Sequence, residues 1–173
     1  SAPYYGGGLY CNGTGSGSVC SPTLANMQFS GNAAMLGGGA IHNDADSGGV
    51  SSPILTNVIF SGNRTQGSGG AIHNDSNHGS TSSPTLNNVI FSGNMAIGGW
   101  GGAIANVGNN SGISSPALAN VTFLSNTATY GGALYNRTSA PKLKNAILWG
   151  NFATNGAQIH NDGGLPAINY SIV

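Results

Sequence analysis

The chain has 173 residues, a length that suits one domain, and only 5% of them are charged. Its net charge is near zero, which gives no reason to expect nucleic acid or an anionic membrane surface as a partner. The apolar content of 39% is ordinary, and 30 glycines favour a turn-rich all-β chain over a helical one. No apolar run approaches the roughly 18 residues of a transmembrane helix, so we expect no membrane insertion.

The first predicted feature is a short loop between two cysteines. Cys11 and Cys20 flank the flexible segment NGTGSGSV. We expect them to form a disulfide, which would indicate an oxidising, extracellular setting. Two buried thiols are the alternative.

Internal repetition dominates the rest of the chain. The repeat is marked by a proline followed two residues later by an apolar residue, with successive spacings of 31, 31, 32, 25 and 25 residues. The prolines are Pro22, Pro53, Pro84, Pro116, Pro141 and Pro166. Each of the five complete units continues with Asn, a short alternating run such as FSGN, and a turn leading to GGAI or a variant of it. Such a period is typical of a solenoid or an array of repeats.

Each unit holds three short strand-like runs separated by turns, which is about one coil of a three-faced parallel β-helix. We therefore predict an all-β solenoid of about six coils, with three strands per coil and coils about 4.8 Å apart. A β-propeller needs longer units. The predicted inward columns are Leu24/Leu55/Leu86/Leu118/Leu143, Phe29/Phe60/Phe91/Phe123/Leu148 and Ile41/Ile72/Ile104/Leu134/Ile159. Asn at the same corner of successive coils predicts ladders of side-chain amides.

We interpret residues 1–173 as a single domain in three parts. Residues 1–20 form an N-terminal partial coil with the disulfide loop, residues 21–165 the central coils, and residues 166–173 a C-terminal partial coil.

The tetrapeptides Gly-Gly-Ala-Ile (38–41, 69–72, 101–104) and Phe-x-x-Asn (29–32, 60–63, 91–94, 123–126) carry a family resemblance. They resemble the repeats of chlamydial polymorphic outer-membrane proteins, and the wider pattern is similar to bacterial secreted β-helix repeat proteins. The resemblance implies a right-handed parallel β-helix and a cell-surface or extracellular location. It also implies adhesin-like activity, although a fold by itself does not define a function.

The best candidate for catalysis is the repeated IHND at 41–44 and 72–75, which occurs again at 159–162. Asp44 and Asp75 should lie on adjacent coils, about 5 Å apart, within range for a retaining glycosidase pair. No third acid joins them, and an Asp after Asn at a strand end is more typical of a turn. His42 and His73 should form a solvated outward column rather than a metal site, with His160 further along and His78 in a loop. We predict no cofactor and no enzymatic activity.

Three further surface features are predicted. The loops 44–51, 75–82 and 107–114 should form one ridge, where a ligand site is an unspecific possibility. Among the Asn-x-Ser/Thr sequons, Asn12 and Asn109 are the most accessible candidates for glycosylation. An outward apolar stripe indicates a lateral interface with another copy or a partner, unless the chain itself covers it. Its residues are Ile59, Ile90, Leu124, Ile147 and Trp149.

The two ends predict self-association. The N-terminus begins with the last third of a coil and the C-terminus stops within one, and residues 166–173 joined to residues 1–21 would make a coil of 29 residues. We therefore expect head-to-tail contact between copies, on the order of 29 Å of rise per subunit. The predicted interface residues are Tyr4, Tyr5, Leu9, Tyr10, Ile168, Tyr170, Ile172 and Val173.

The sequence thus favours a non-catalytic extracellular homopolymer, a surface filament or sheath. The alternatives are an adhesin-like module trimmed from a longer β-helix that binds surface glycans or a host protein, and a polysaccharide lyase or hydrolase.

Overall fold

A computed structural model describes residues 3–173, and this part of the chain is built from β-strands and turns without a helix. Ser1 and Ala2, which the sequence assigns to the N-terminal partial coil, lie outside the described residues. The strands in chain order are β1 (Leu9–Asn12), β2 (Val19–Cys20), β3 (Thr23–Ser30), β4 (Ala33–Ala34), β5 (Ile41–Ala45), β6 (Val50–Ser51), β7 (Ile54–Ser61), β8 (Arg64–Thr65), β9 (Ile72–Ser76), β10 (Thr85–Ser92), β11 (Met95–Ala96), β12 (Ile104–Gly108), β13 (Ala117–Leu124), β14 (Thr127–Tyr130), β15 (Leu134–Arg137), β16 (Lys142–Trp149), β17 (Phe152–Asn155), β18 (Ile159–Asp162) and β19 (Ala167–Asn169).

Three long parallel sheets run along the molecule, which is therefore a parallel β-helix as the repeat predicts. The first sheet has the order β1-β5-β9-β12-β15-β18, and the second has the order β19-β16-β13-β10-β7-β3. The third sheet has the order β17-β14-β11-β8-β4. Strands one repeat apart are therefore hydrogen-bonded neighbours, because each coil returns the chain to the same face one strand spacing further along.

The predicted count of about six coils with three strands each differs in detail from the structure. The third sheet has five strands where the others have six, so the coils at the two ends are incomplete. Three strands of that sheet are only two residues long, and the pair β2–β6 adds a short fourth sheet near the N-terminus. Glycines and serines around these positions hold the chain in turns and so shorten the strands.

The eight-residue strands of the second sheet are bent at an asparagine. Asn57 in β7 has a φ of 55°, and the same position in β10 is Asn88 with a φ of 57°. Asn is one of the few residues that adopts this left-handed conformation readily. Since the bend shifts the alternation of the strand, Leu55, Val58 and Phe60 are all buried.

The core contains the three predicted columns. The register pairs Leu55 with Leu86, Phe60 with Phe91 and Ile72 with Ile104, and these side chains are fully buried. The phenylalanine rings stack face to face, with centroids 4.9–5.1 Å apart along Phe29, Phe60, Phe91 and Phe123. The sequence did not reveal the extra apolar positions contributed by the bent strands: Val58, Val89, Val121 and Ala146.

Three asparagine ladders hold successive coils together, which confirms the predicted amide stacking. In the first sheet, each amide donates to the next oxygen at 2.7–2.9 Å along Asn43, Asn74, Asn106, Asn136 and Asn161. A second buried ladder runs through Asn32, Asn63, Asn94, Asn126 and Asn151, just after the second sheet. The third is exposed, and includes the bend residues Asn57 and Asn88. The buried ladders satisfy polar groups that would otherwise destabilise the core.

Within residues 3–173, the search for a helix long and apolar enough to cross a membrane found none.

Candidate functional site

The outer face of the first sheet carries a column of rings. Each strand places a side chain there directly after the inward Ile or Leu. The successive residues in register are Tyr10, His42, His73, Ala105, Tyr135 and His160. This column divides into an N-terminal group around His42, which is buried, and His73, which is half-buried, and a C-terminal group around Tyr135.

The expectation that His42 and His73 form a solvated column is wrong. His42 is only 2% exposed, and the described residues offer no hydrogen-bond partner to either ring nitrogen of His73. Gly37 lies so close that a Cβ atom there would be 2.5 Å from Nδ1 of His73 and 3.0 Å from Nδ1 of His42. The rings of Tyr5 and His42 are 4.6 Å apart, and those of His42 and His73 are 4.9 Å apart. The turn that precedes each strand folds back over the sheet, which strand alternation does not reveal.

Burial keeps both imidazoles neutral. Desolvation lowers the pKa of His42 to about 2, and the proximity of His73 lowers it further. Desolvation also lowers the pKa of His73, opposed in part by the carboxylates of Asp75 and Asp44. The hydroxyl of Tyr10, whose own pKa is raised by desolvation and by Asp44, donates to Oδ2 of Asp44 at 2.6 Å.

We expect the fold to lose stability as the pH falls below about 6.5, the usual pKa of a free histidine. The unfolded chain then takes up more protons at His42 and His73 than the folded chain, in which the pKa of both is lowered. The loss is limited to about 1.4 kcal/mol per pH unit for each histidine. Urea denaturation at pH 7.5 and 5.5 measures it.

The double variant His42→Phe/His73→Phe should flatten this pH dependence while keeping rings in the column. His78→Asn, a change at an exposed loop histidine, serves as the control and should retain most of the slope. An unchanged slope in the double variant would contradict the assignment to the buried pair.

The C-terminal group forms an open groove. Trp100 comes from the segment that precedes β12, and Tyr130 is the last residue of β14. The rings of Trp100 and Tyr135 stack with centroids 5.0 Å apart. Tyr135 in turn stacks on His160 at 5.6 Å, and Tyr130 meets His160 edge-on at 5.2 Å. With Asp162, these side chains line a groove of about 400 Å³.

Polar and charged groups border the groove. The hydroxyl of Tyr135 donates to Oδ2 of Asp162 at 3.2 Å, and desolvation together with this carboxylate raises the pKa of Tyr135 to about 12. The guanidinium of Arg137 lies 5.1 Å from the ring centroid of Trp100, a cation–π contact. Arg137 also pairs in register with Asp162, so adjacent strands carry a basic and an acidic residue at this position. The arrangement combines aromatic surfaces with hydrogen-bonding groups and little net charge.

No sequence pattern predicted this groove. One available signal was the aromatic residue in LYCN and LYNR, which occupies the position of histidine in IHND. A second was Tyr5, which occupies the position of Trp100 and Tyr130 in the first coil, although the equivalent residues of two other coils are Gly37 and Ser68.

The structure places Asp44 and Asp75 in register on β5 and β9, as expected. Each accepts a hydrogen bond from a nearby side chain: Asp44 from Tyr10, and Asp75 from Asn77 at 3.2 Å. The next coil has Val107 at this position. Among residues 3–173, no group of three or more His, Cys, Asp or Glu side chains is arranged to hold a metal ion.

The three loops stack as one ridge through backbone hydrogen bonds. His78 contacts Asp46 at 2.7 Å and Asn110 at 3.3 Å. The hydrogen bond from His78 lowers the pKa of Asp46, which is exposed. These contacts account for the side chains of the ridge without a ligand.

The remaining predicted residues lie as follows. Cys11 and Cys20 are joined by a disulfide. Asn12 is exposed, whereas Asn109 is half-buried and accepts a hydrogen bond from Arg137 at 3.0 Å. The apolar stripe of Ile59, Ile90, Leu124, Ile147 and Trp149 is exposed, and its role as an interface stays a prediction.

Tyr5 and Tyr10, predicted at a head-to-tail interface, pack against His42. The other apolar residues predicted there, Tyr4, Ile168, Tyr170, Ile172 and Val173, are exposed, and Leu9 is partly buried against the core. Their contact with a second copy also stays a prediction.

Taken together, the sheets, the ladders and the repeat define a parallel β-helix of the kind built from short sequence repeats. Four segments match the model of the Chlamydia polymorphic membrane protein (Chlamydia_PMP) repeat, at residues 26–44, 57–75, 88–107 and 120–137. These four segments are therefore similar to Chlamydia polymorphic membrane protein repeats, as the sequence resemblance indicated. Each match begins at a bend asparagine of the second sheet and includes one residue of each buried ladder. No curated protein and no solved structure matches the chain.

The repeat family gives a coarse functional assignment. It indicates a surface-associated β-helix, linked to an outer membrane or cell surface, and a non-enzymatic type of protein.

Proposed function

We propose that this protein is a non-catalytic structural subunit whose β-helix joins that of a second copy end to end at the cell surface. The observation that supports this is the state of the sheet edges. Within residues 3–173, β1, β3 and β4 each have a neighbour on one side only, and so do β18, β19 and β17 at the opposite end. Such edges expose unpaired backbone N–H and C=O groups, which template the addition of further strands.

The two ends are geometrically compatible. All strands are parallel along the stack, so β18 of one copy and β1 of the next would continue the first sheet, and β19 and β3 the second. The core columns also reach both ends, since Leu24 is only partly buried and Ile168 is 39% exposed. Joining two copies would bury these residues against each other and add apolar burial to backbone pairing.

Lateral contact would follow from the exposed stripe of the second sheet. Ile59, Ile90 and Ile147 are in one register column, and Leu124 and Trp149 are in another. We propose that this stripe packs filaments side by side.

We expect the purified 173-residue chain to form fibres visible by electron microscopy, with an axial repeat on the order of 29 Å. Ile168→Asp should abolish them, because it places a charge in the junction core without a partner. Leu165→Asp, a change in a highly exposed turn close by, is the matched control and should leave fibres intact.

Circular dichroism checks that the Ile168→Asp monomer keeps its β-structure. A wild-type chain that remains a monodisperse monomer at high concentration would overturn the proposal, as would fibres formed equally well by Ile168→Asp.

An adhesin-like module is the second candidate function. The groove at Trp100 favours it, because the β-helix itself does not require a concave site lined by partly exposed rings.

A further inference from the structure

From the geometry of the groove at Trp100, Tyr130, Tyr135, His160 and Asp162, we propose that it binds a sugar ring of an uncharged surface glycan. This names a ligand class for the second candidate function and does not depend on filament formation.

The aromatic residues are additions to the coil rather than part of its framework. Gly37 and Ser68 occupy the position of Trp100 and Tyr130 in other coils. At each of these four residues the backbone oxygen accepts a hydrogen bond from a backbone N–H of the preceding coil, so the stacking of the coils does not require an aromatic side chain there. Trp100 and Tyr130 both remain partly exposed. Large, half-exposed rings gathered in a concave site are typical of ligand recognition.

The chemistry of the lining suits a sugar. A sugar presents apolar C–H faces that can pack on the rings of Trp100 and Tyr130, and hydroxyls at its edges. Asp162 accepts hydrogen bonds from such hydroxyls, and the imidazole of His160 can donate or accept. The groove, at about 400 Å³, falls within the usual size of small-molecule sites, roughly 300–1,000 Å³.

The charges near the groove disfavour the main competing ligands. An aromatic cluster with one carboxylate also suits a quaternary ammonium ion, but the guanidinium of Arg137 already lies 5.1 Å from the Trp100 centroid and repels a second cation. An acidic glycan would meet the carboxylate of Asp162. An uncharged sugar avoids both costs.

Tryptophan fluorescence offers a direct test, because the chain has only two tryptophans. Trp149 lies on the exposed stripe of β16, outside the groove, so Trp149→Phe leaves Trp100 as the single reporter. The titration uses the full chain with Trp149→Phe and Ile168→Asp, which separates binding from assembly. The probes are maltohexaose, cellohexaose, N-acetylchitohexaose and, as a cation, choline.

We expect a saturable change in Trp100 emission with at least one of the neutral oligosaccharides and none with choline. Tyr130→Ala should weaken that binding about tenfold, in line with the loss of one ring of a binding site. Phe152→Ala removes a more exposed ring on the third sheet, outside the groove, and should leave the affinity unchanged.

Three outcomes would overturn the proposal: no response to any neutral probe, a response to choline alone, or equal affinity in Tyr130→Ala. Each is independent of the electron microscopy of the wild-type chain, so the glycan site and the end-to-end assembly fail or succeed separately.

Discussion

Phe91→Ala is expected to lower the free energy of unfolding by about 3–5 kcal/mol. Phe91 is fully buried, and its ring is stacked at 4.9 Å on both Phe60 and Phe123. Removing it takes away the burial of the ring and leaves a cavity between two coils that the backbone hydrogen bonds hold at a fixed spacing. Urea denaturation followed by circular dichroism measures the loss.

The preceding residue provides the control. Ile90 lies in the same strand but faces solvent, 43% exposed, so Ile90→Ala should cost far less. A loss below about 1 kcal/mol in Phe91→Ala would contradict the view that the ring stack stabilises the coils.

Asn94→Leu is expected to be destabilising by about 4 kcal/mol, although leucine has a similar shape. The side-chain oxygen of Asn94 accepts from the backbone N and from Nδ2 of Asn63, at 3.0 and 2.9 Å. Its Nδ2 donates to the backbone oxygen of Phe60 and to Oδ1 of Asn126, at 3.1 and 2.9 Å. Leucine removes all four bonds where water has no access, and leaves several buried groups short of a partner.

Asn88→Gly tests the same chemistry in the exposed ladder. Asn88 donates to Asn57 at 2.7 Å, but water can replace that bond, and glycine accepts its φ of 57°. The free energy of unfolding of the Asn88→Gly variant should therefore differ from that of the wild type by less than about 1 kcal/mol, measured in the same urea titrations. Equal losses in the two variants would show that burial is not what makes the ladder of Asn94 stabilising.

The two proposals for function reinforce each other physically. An end-to-end filament would present the groove near Trp100 once per subunit on the same face. Glycans on a surface are themselves repeated, so weak binding at each groove would add up to strong attachment through a high effective concentration. The pH effect of His42 and His73 acts on the stability of each subunit.

How far the sequence predicts the structure differs between the core and the surface. The inward columns could be read directly, because Leu55, Phe60 and Ile72 recur at a fixed spacing and only stacking can bury them all. The asparagine ladders could also be predicted, because Asn recurs at a fixed position in successive coils. The left-handed bend at Asn57 could not, because it changes which residues of the strand point inward, and so Val58 was missed.

The candidate site lay largely outside what the sequence could predict. Its residues come from different coils. Trp100 lies in the segment before β12 and Tyr130 at the end of β14, and no local pattern specifies how these parts of the chain meet the first sheet. The burial of His42 has the same origin, since Tyr5 and Gly37 reach it from a neighbouring segment.

The sequence by itself therefore determined the repeat, the parallel β-helix and the composition of its core, because periodicity translates directly into stacked coils. Only the tertiary structure decided which outward side chains are covered and which rings meet in a groove. Those outcomes depend on how the turns of adjacent coils fold over a sheet, and turn paths are set by long-range contacts rather than by the period of the chain.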